Sequence, residues 1–197
     1  MRPIYLIWLG LLLSGSLSAA SYPGFLLTKD GYKLTGYLNV LSYAPTGNNI
    51  TFTNDFGDQY TIHPFLVSGF GMNLGGAALR FVSRYHAGQW YFLQEDTPGR
   101  SIQLYRLPDG SDRWVDDRLL RLFTNPPPTY FINYRAGDEE RILPVPRAGF
   151  RRNLREFFGQ ANPEFARKIG TKGYRYRDLS AIVEAFNQLK SRQRRRL

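Results

Sequence analysis

Cysteine is absent from the 197 residues, and that one absence removes several kinds of chemistry. Disulfides, thiol nucleophiles and thiolate metal sites are excluded, as is a lipoprotein, which needs a cysteine to acylate. Histidine is scarce. His63 and His86 are the only two, and neither has a second ligand at HxxxH or HxH spacing, so no transition-metal site is expected and no cofactor is implied. Long hydrophobic runs are also missing. The longest, from Ile4 to Leu13, is nearer the ~10 residues of a signal-peptide core than the ~20 that span a bilayer. With Arg2 before it and Ser18, Ala19 and Ala20 after it, residues 1–20 read as a secretory signal peptide cleaved after Ala20, the alternative being an uncleaved anchor helix. An exported chain without disulfides must be held by its core, and residues 21–197 suffice to bury roughly 70% of their surface as one compact domain with an appendage.

Acidic residues are scarce in one region only. From residue 146 onward there are 14 Lys and Arg against 4 Asp and Glu, whereas residues 21–145 carry 11 against 12. The whole excess behind the net charge of +10 therefore lies in the last quarter, apart from Arg2.

What is present before residue 146 is a rhythm of hairpins. The stretch GQWYFLQEDTPGRSIQLYRLPDG, residues 88–110, predicts two strands, Trp90 to Gln94 and Ile102 to Leu107, around Pro98 and Gly99. Ile102 and Leu104 alternate with Gln103 and Tyr105, as a half-buried strand requires. The first strand is apolar on both faces, which predicts a central place in the sheet with a helix covering one side. Upstream, Asp30-Gly31 between apolar runs predicts a type I′ hairpin, and Gly36 a bulge. Residues 43–49 read as loop, Ile50 to Thr53 pairs with Gln59 to Ile62, and GFGMNLGG (residues 69–76) reads as a flexible glycine-rich connection. Leu79, Phe81 and Ser83 share one face of the next strand. Arg118 to Phe123 is a short strand or helical turn, and Tyr130 to Tyr134 pairs with Arg141 to Val145.

After Pro146 the apolar period changes to 3.6. Phe150, Leu154, Phe157 and Phe158 make one helical stripe. Asn162-Pro163 is a cap followed by proline at the first helical position, and Gly170 stops that short second helix. Asp178 caps a third, carrying Leu179, Ile182, Val183, Phe186 and Leu189. The stripe ends near Gln188, leaving SRQRRRL as a solvated end. The expected fold is α+β: an antiparallel meander sheet or small barrel over residues 21–145, a basic segment of two to three helices over 146–190 packed on it, and a disordered basic tail over 191–197.

Catalytic patterns are weak. His63 and His86 are candidate bases, but both are expected to sit at strand ends as ordinary polar residues. Ser68 lacks a G-x-S-x-G elbow. Asp138, Glu139 and Glu140 crowd a turn rather than face each other across a cleft, and Asp116 and Asp117 lack the spacing of a calcium loop. The glycine-rich stretch has no Lys-Ser/Thr and is followed by a strand, so it is not a phosphate loop. Charge gives the stronger pointer. Arg151, Arg152, Arg155, Arg175, Arg177, Arg192, Arg194, Arg195 and Arg196 make a candidate contiguous surface for anionic lipid or polymer. The competing reading is a solubilising tail that complements a helix C-terminus. The alternation Tyr174, Arg175, Tyr176, Arg177 would suit stacking on bases, but export disfavours nucleic acid, and the tyrosines are expected to cover the sheet.

Several of these residues carry a resemblance: Gly31, Tyr32, Leu34 and Gly36; Trp90 to Leu93 with Gly99, Leu104, Tyr105 and Arg106; Phe150, Leu154, Phe157 and Phe158; and Tyr176 with Ile182, Val183, Phe186 and Asn187. Together they make the chain similar to a group of uncharacterised exported proteins of Gram-negative bacteria, often fused ahead of an outer-membrane β-barrel. The resemblance covers most of the mature chain, supplies packing positions but no catalytic residues, and lacks the barrel of the larger members. It implies a periplasmic or outer-membrane-associated protein. The expected function is a non-catalytic interaction module of the cell envelope, with an envelope protein or anionic surface as partner. A hydrolase assembled from distant residues and an anionic-polymer binder are the alternatives.

Overall fold

A computed structural model describes residues 21–124 and 126–195; the expected signal peptide and Arg196 lie outside the described residues. Eleven strands form one sheet: β1 (Tyr22–Leu27), β2 (Lys33–Ala44), β3 (Gly47–Asn54), β4 (Gln59–Ile62), β5 (Gly69–Leu74), β6 (Ala77–His86), β7 (Gln89–Thr97), β8 (Ile102–Arg106), β9 (Val115–Asp116), β10 (Tyr130–Ala136) and β11 (Glu139–Val145). Their order is β11-β10-β8-β7-β6-β5-β1-β2-β3-β4, with β9 lying parallel to β2. Neighbours along this path are antiparallel. β5 pairs with the free edge of β1, so the chain departs from a pure meander there.

The path closes on itself where Gly47 of β3 bridges Trp90 of β7. This joins β7, β6, β5, β1, β2 and β3 into a ring, from which β8, β10 and β11 extend. Two consecutive residues make the closure. A Cβ on Gly47 would lie 1.7 Å from the Trp90 carbonyl oxygen, and its φ of +128° is a conformation that side chains oppose. Asn48, fully buried, then substitutes for a ladder: its side-chain oxygen accepts from the Phe92 N–H at 2.7 Å, and its Nδ2 donates to the Phe92 carbonyl at 3.2 Å.

Several local expectations are corrected. Residues 69–74 are strand β5, and only Gly75-Gly76, both at positive φ, form the turn. Residues 43–49, expected as loop, belong mostly to β2 and β3. Asp30-Gly31 is not a type I′ pair, because only Gly31 has positive φ; the turn is widened by Thr28, whose N–H reaches the Tyr32 carbonyl at 2.9 Å. Gly36 makes no bulge. It pairs in register with Gly24 and Asn54, and a Cβ there would meet the Thr53 carbonyl oxygen at 2.3 Å; the irregularity falls between Leu38 and Leu41.

Three helices follow: α1 (Phe150–Ala161), α2 (Pro163–Lys168) and α3 (Leu179–Arg194). Asn162 caps α2, accepting from the Phe165 N–H at 2.8 Å ahead of Pro163. Asp178 precedes α3, but its carboxylate takes the Arg175 N–H at 3.0 Å, closing a 3-10 turn instead of capping α3. α3 continues to Arg194, so residues 191–194, expected in a disordered tail, are helical.

The core has two parts. Leu38, Leu41, Ile50 and Phe92 lie in the cluster enclosed by the ring. Ile102 and Leu104 of β8 and Ile132 of β10 instead meet Leu154, Phe158, Ile182 and Phe186 of the helices. Burying each such side chain is worth about 1.5–3 kcal/mol, enough to fix the helical layer against the extension. The cover therefore lies over β8 and β10, not over Trp90 to Gln94. Tyr91, Phe92 and Leu93 all belong to the ring's cluster, because β7 is the seam where the ring closes.

Candidate anion-binding site

One polar residue within the α3 stripe organises its surroundings. Asn187 accepts from the backbone N–H groups of Ser101 and Ile102 at 3.0 and 3.2 Å and donates to the Ile102 carbonyl at 2.9 Å. This fastens the β7–β8 loop to the penultimate turns of α3. Gly99 is required for the approach, since a Cβ would lie 2.1 Å from Asn187 Nδ2. A second tie runs from the Ser180 hydroxyl to Asp96 at 2.7 Å.

Arg100 is thereby set beside the end of the helix. With Arg192, Arg194 and Arg195, and with Ser101 and Ser191 between them, it lines an open hollow of about 760 Å³ with no Asp or Glu in its wall among the described residues. Arg192 and Arg194 of α3 and Arg195 just after it are exposed, and among the described residues no ion pair neutralises any of the four. Guanidinium groups present planar forks to oxyanions and hold their charge throughout the physiological pH range. The hollow is thus suited to phosphate, sulfate or carboxylate.

The other expected arginines do not join it. Arg155 is committed to the fold: its Nε donates to the Ile169 carbonyl at 3.1 Å and its guanidinium reaches the Arg167 carbonyl at 3.5 Å, satisfying the end of α2. Arg151 and Arg152 are exposed on α1, Arg151 with its stem against Gly170. Arg175 and Arg177 line a different hollow with Arg147. Of the expected arginines, Arg192, Arg194 and Arg195 thus fall in one hollow and Arg175 and Arg177 in the other. Arg100 and Arg147, on which the sequence reading did not settle, complete the two arginine-lined hollows. Tyr176 packs edge-on against Tyr130 and Phe150, and Tyr174 against Phe165, so both tyrosines cover apolar structure.

The catalytic candidates are placed apart. His63 Nδ1 accepts from the Phe65 N–H at 3.2 Å and caps a 3-10 turn, Pro64–Leu66. His86 packs edge-on against Phe131 with ring centroids 5.1 Å apart, and burial lowers its pKa below the ordinary value. Neither is bonded to a carboxylate among the described residues. Ser68 contributes backbone bonds to Leu27 and Ser83. Glu139 and Glu140 pair with Arg141 and Arg84, both at 2.8 Å. Arg118 holds the pKa of the half-buried Asp116 carboxyl at about 2 through side-chain hydrogen bonds, and Arg121 lowers that of Asp117 in the same way. Among the described residues, no group of three or more His, Asp and Glu is placed to hold a metal ion, and no helix is long and apolar enough to cross a membrane.

The fold and the hollow define an α+β protein with an arginine-lined surface site. Comparison with protein-family models, curated proteins and solved structures returned no match.

Proposed function

We propose that the protein is exported and acts in the cell envelope as a non-catalytic interaction module, attaching to anionic surfaces through the hollow of Arg100, Arg192, Arg194 and Arg195. The observation that supports this reading is the convergence of four guanidinium groups, one from a loop about ninety residues distant, on a wall that holds no Asp or Glu, and no ion pair to any of the four, among the described residues. A merely solubilising tail has no use for Arg100. A basic residue near an anionic membrane is worth about 1 kcal/mol, so the four supply roughly 4 kcal/mol, or near-millimolar affinity. Such a site works where anions are dense, as on a phospholipid or polysaccharide surface, and weakens as salt screens it.

The test is cosedimentation with vesicles of phosphatidylglycerol and phosphatidylcholine, against phosphatidylcholine alone, at low and high salt. Salt-sensitive capture by the anionic vesicles only is expected. Arg100→Gln should weaken it about fivefold, and the Arg192→Gln, Arg194→Gln, Arg195→Gln triple variant about a hundredfold. Capture that ignores salt and survives the triple variant would overturn the proposal.

A further inference from the structure

The second arginine hollow has a different construction. Tyr130 opens β10 opposite Val145, the last residue of β11, so Arg147 leaves the sheet beside Tyr130. The 3-10 turn Tyr176–Asp178 is closed by the Arg175 N–H bond to Asp178 and brings Arg175 and Arg177 to the same place. Its Tyr176 ring is fixed from two sides, 5.8 Å from Tyr130 at 75° and 5.7 Å from Phe150 at 84°. The result is an open hollow of about 450 Å³ lined by Tyr130, Arg147, Arg175, Tyr176 and Arg177.

Its wall contains three guanidinium groups, two half-buried phenol rings and, among the described residues, no acid. The Asp178 carboxylate accepts from the Arg175 backbone N–H at 3.0 Å and lies only loosely, at 3.7 Å, from the guanidinium of Arg177, whose side chain is 78% exposed. Arg147 lies close enough to the Tyr176 hydroxyl to oppose the upward shift that burial gives that phenol. Cations and aromatic rings in one cavity of this size match a ligand with two parts: an oxyanion for the guanidinium forks and a ring whose C–H face rests on tyrosine. The α3 hollow, by comparison, has arginines and serines but no aromatic ring.

We propose that the Arg147–Arg175–Arg177 hollow is a binding site for a sugar phosphate, with the arginines holding the phosphate and Tyr130 and Tyr176 the sugar. This site is separate from the α3 hollow and does not depend on it.

The test is isothermal titration of the full chain with glucose 1-phosphate, inorganic phosphate and glucose. Glucose 1-phosphate should bind at least about tenfold more tightly than inorganic phosphate, and glucose should give no signal. Arg147→Gln and Arg177→Gln should each weaken glucose 1-phosphate about tenfold. Arg177 is exposed, so its variant keeps the fold and the test valid should Arg147→Gln unfold. Tyr130→Leu should erase the advantage over inorganic phosphate, and the triple α3 variant should change nothing. Equal affinity for the two phosphates, or glucose 1-phosphate binding untouched by Arg177→Gln, overturns the proposal.

Discussion

Replacing Asn48 with leucine removes the two side-chain hydrogen bonds that join β3 to β7 next to the closing bridge. The position is fully buried, so water cannot take over. The Phe92 N–H and carbonyl, now bonded at 2.7 and 3.2 Å, are left without these partners. Each buried backbone group deprived of a partner costs about 1–3 kcal/mol, and leucine returns part of this by burying apolar surface. A net loss of about 3 kcal/mol follows. For a domain of this size that corresponds to a fall in melting temperature of roughly 6–12 °C. Thermal unfolding followed by far-UV circular dichroism measures it, with a urea titration to check that the slope is unchanged. Asn48→Asp should be at least as damaging, because it keeps the acceptor for the Phe92 N–H but buries a charge and loses the donor. A shift below about 2 °C for Asn48→Leu would refute the claim that this side chain closes the ring.

Gly47→Ala should be worse than an ordinary glycine substitution, preventing soluble expression or lowering stability by more than about 3 kcal/mol, since both the Trp90 carbonyl and the positive φ oppose a Cβ. Tyr43 donates its hydroxyl to the Pro108 carbonyl and is buried, and burial raises its pKa well above the ordinary phenol value. The stability it contributes is complete below about pH 10, where unfolded tyrosine begins to ionise, and is lost as pH rises toward the folded value. Tyr43→Phe should cost about 1–2 kcal/mol at neutral pH and make stability fall less steeply above pH 10 in denaturant titrations. Asn187→Ala removes three hydrogen bonds between α3 and the β7–β8 loop; a loss of about 2–3 kcal/mol is expected in the same assay, together with weaker capture by anionic vesicles as Arg100 comes loose.

Elements made by neighbouring residues were readable in the chain. The pairing of Ile50–Thr53 with Gln59–Ile62 and the Asn162-Pro163 cap each act within a few residues, and both recur in the structure. Ile102 and Leu104 do share a face against the helices, but Tyr105, expected on the exposed face of a half-buried strand, is buried in the ring's cluster, because β8 is covered on both sides. Closure of the ring was not readable, because Gly47 and Trp90 meet across 43 residues and no local period records the meeting. β5 was misread for a related reason. Its glycines resemble a loop in sequence, yet Gly71 is there because a Cβ would lie 2.6 Å from the Phe25 ring on the adjacent strand. The structural role of Arg155 was equally hidden, since charge counts do not show that it serves two carbonyls. A signal for the α3 hollow did exist. Asn187 is a polar residue directly after the buried Phe186, and such a residue asks for a partner, here the loop that carries Arg100.

The arginine hollow of α3 as the working surface is tested most directly by hydrogen–deuterium exchange of the protein with and without phosphatidylglycerol vesicles. Protection concentrated in the last turns of α3 and at residues 99–102, and lost at high salt, is the predicted result. Protection confined to the ring strands, with α3 and the β7–β8 loop unchanged, would contradict the account.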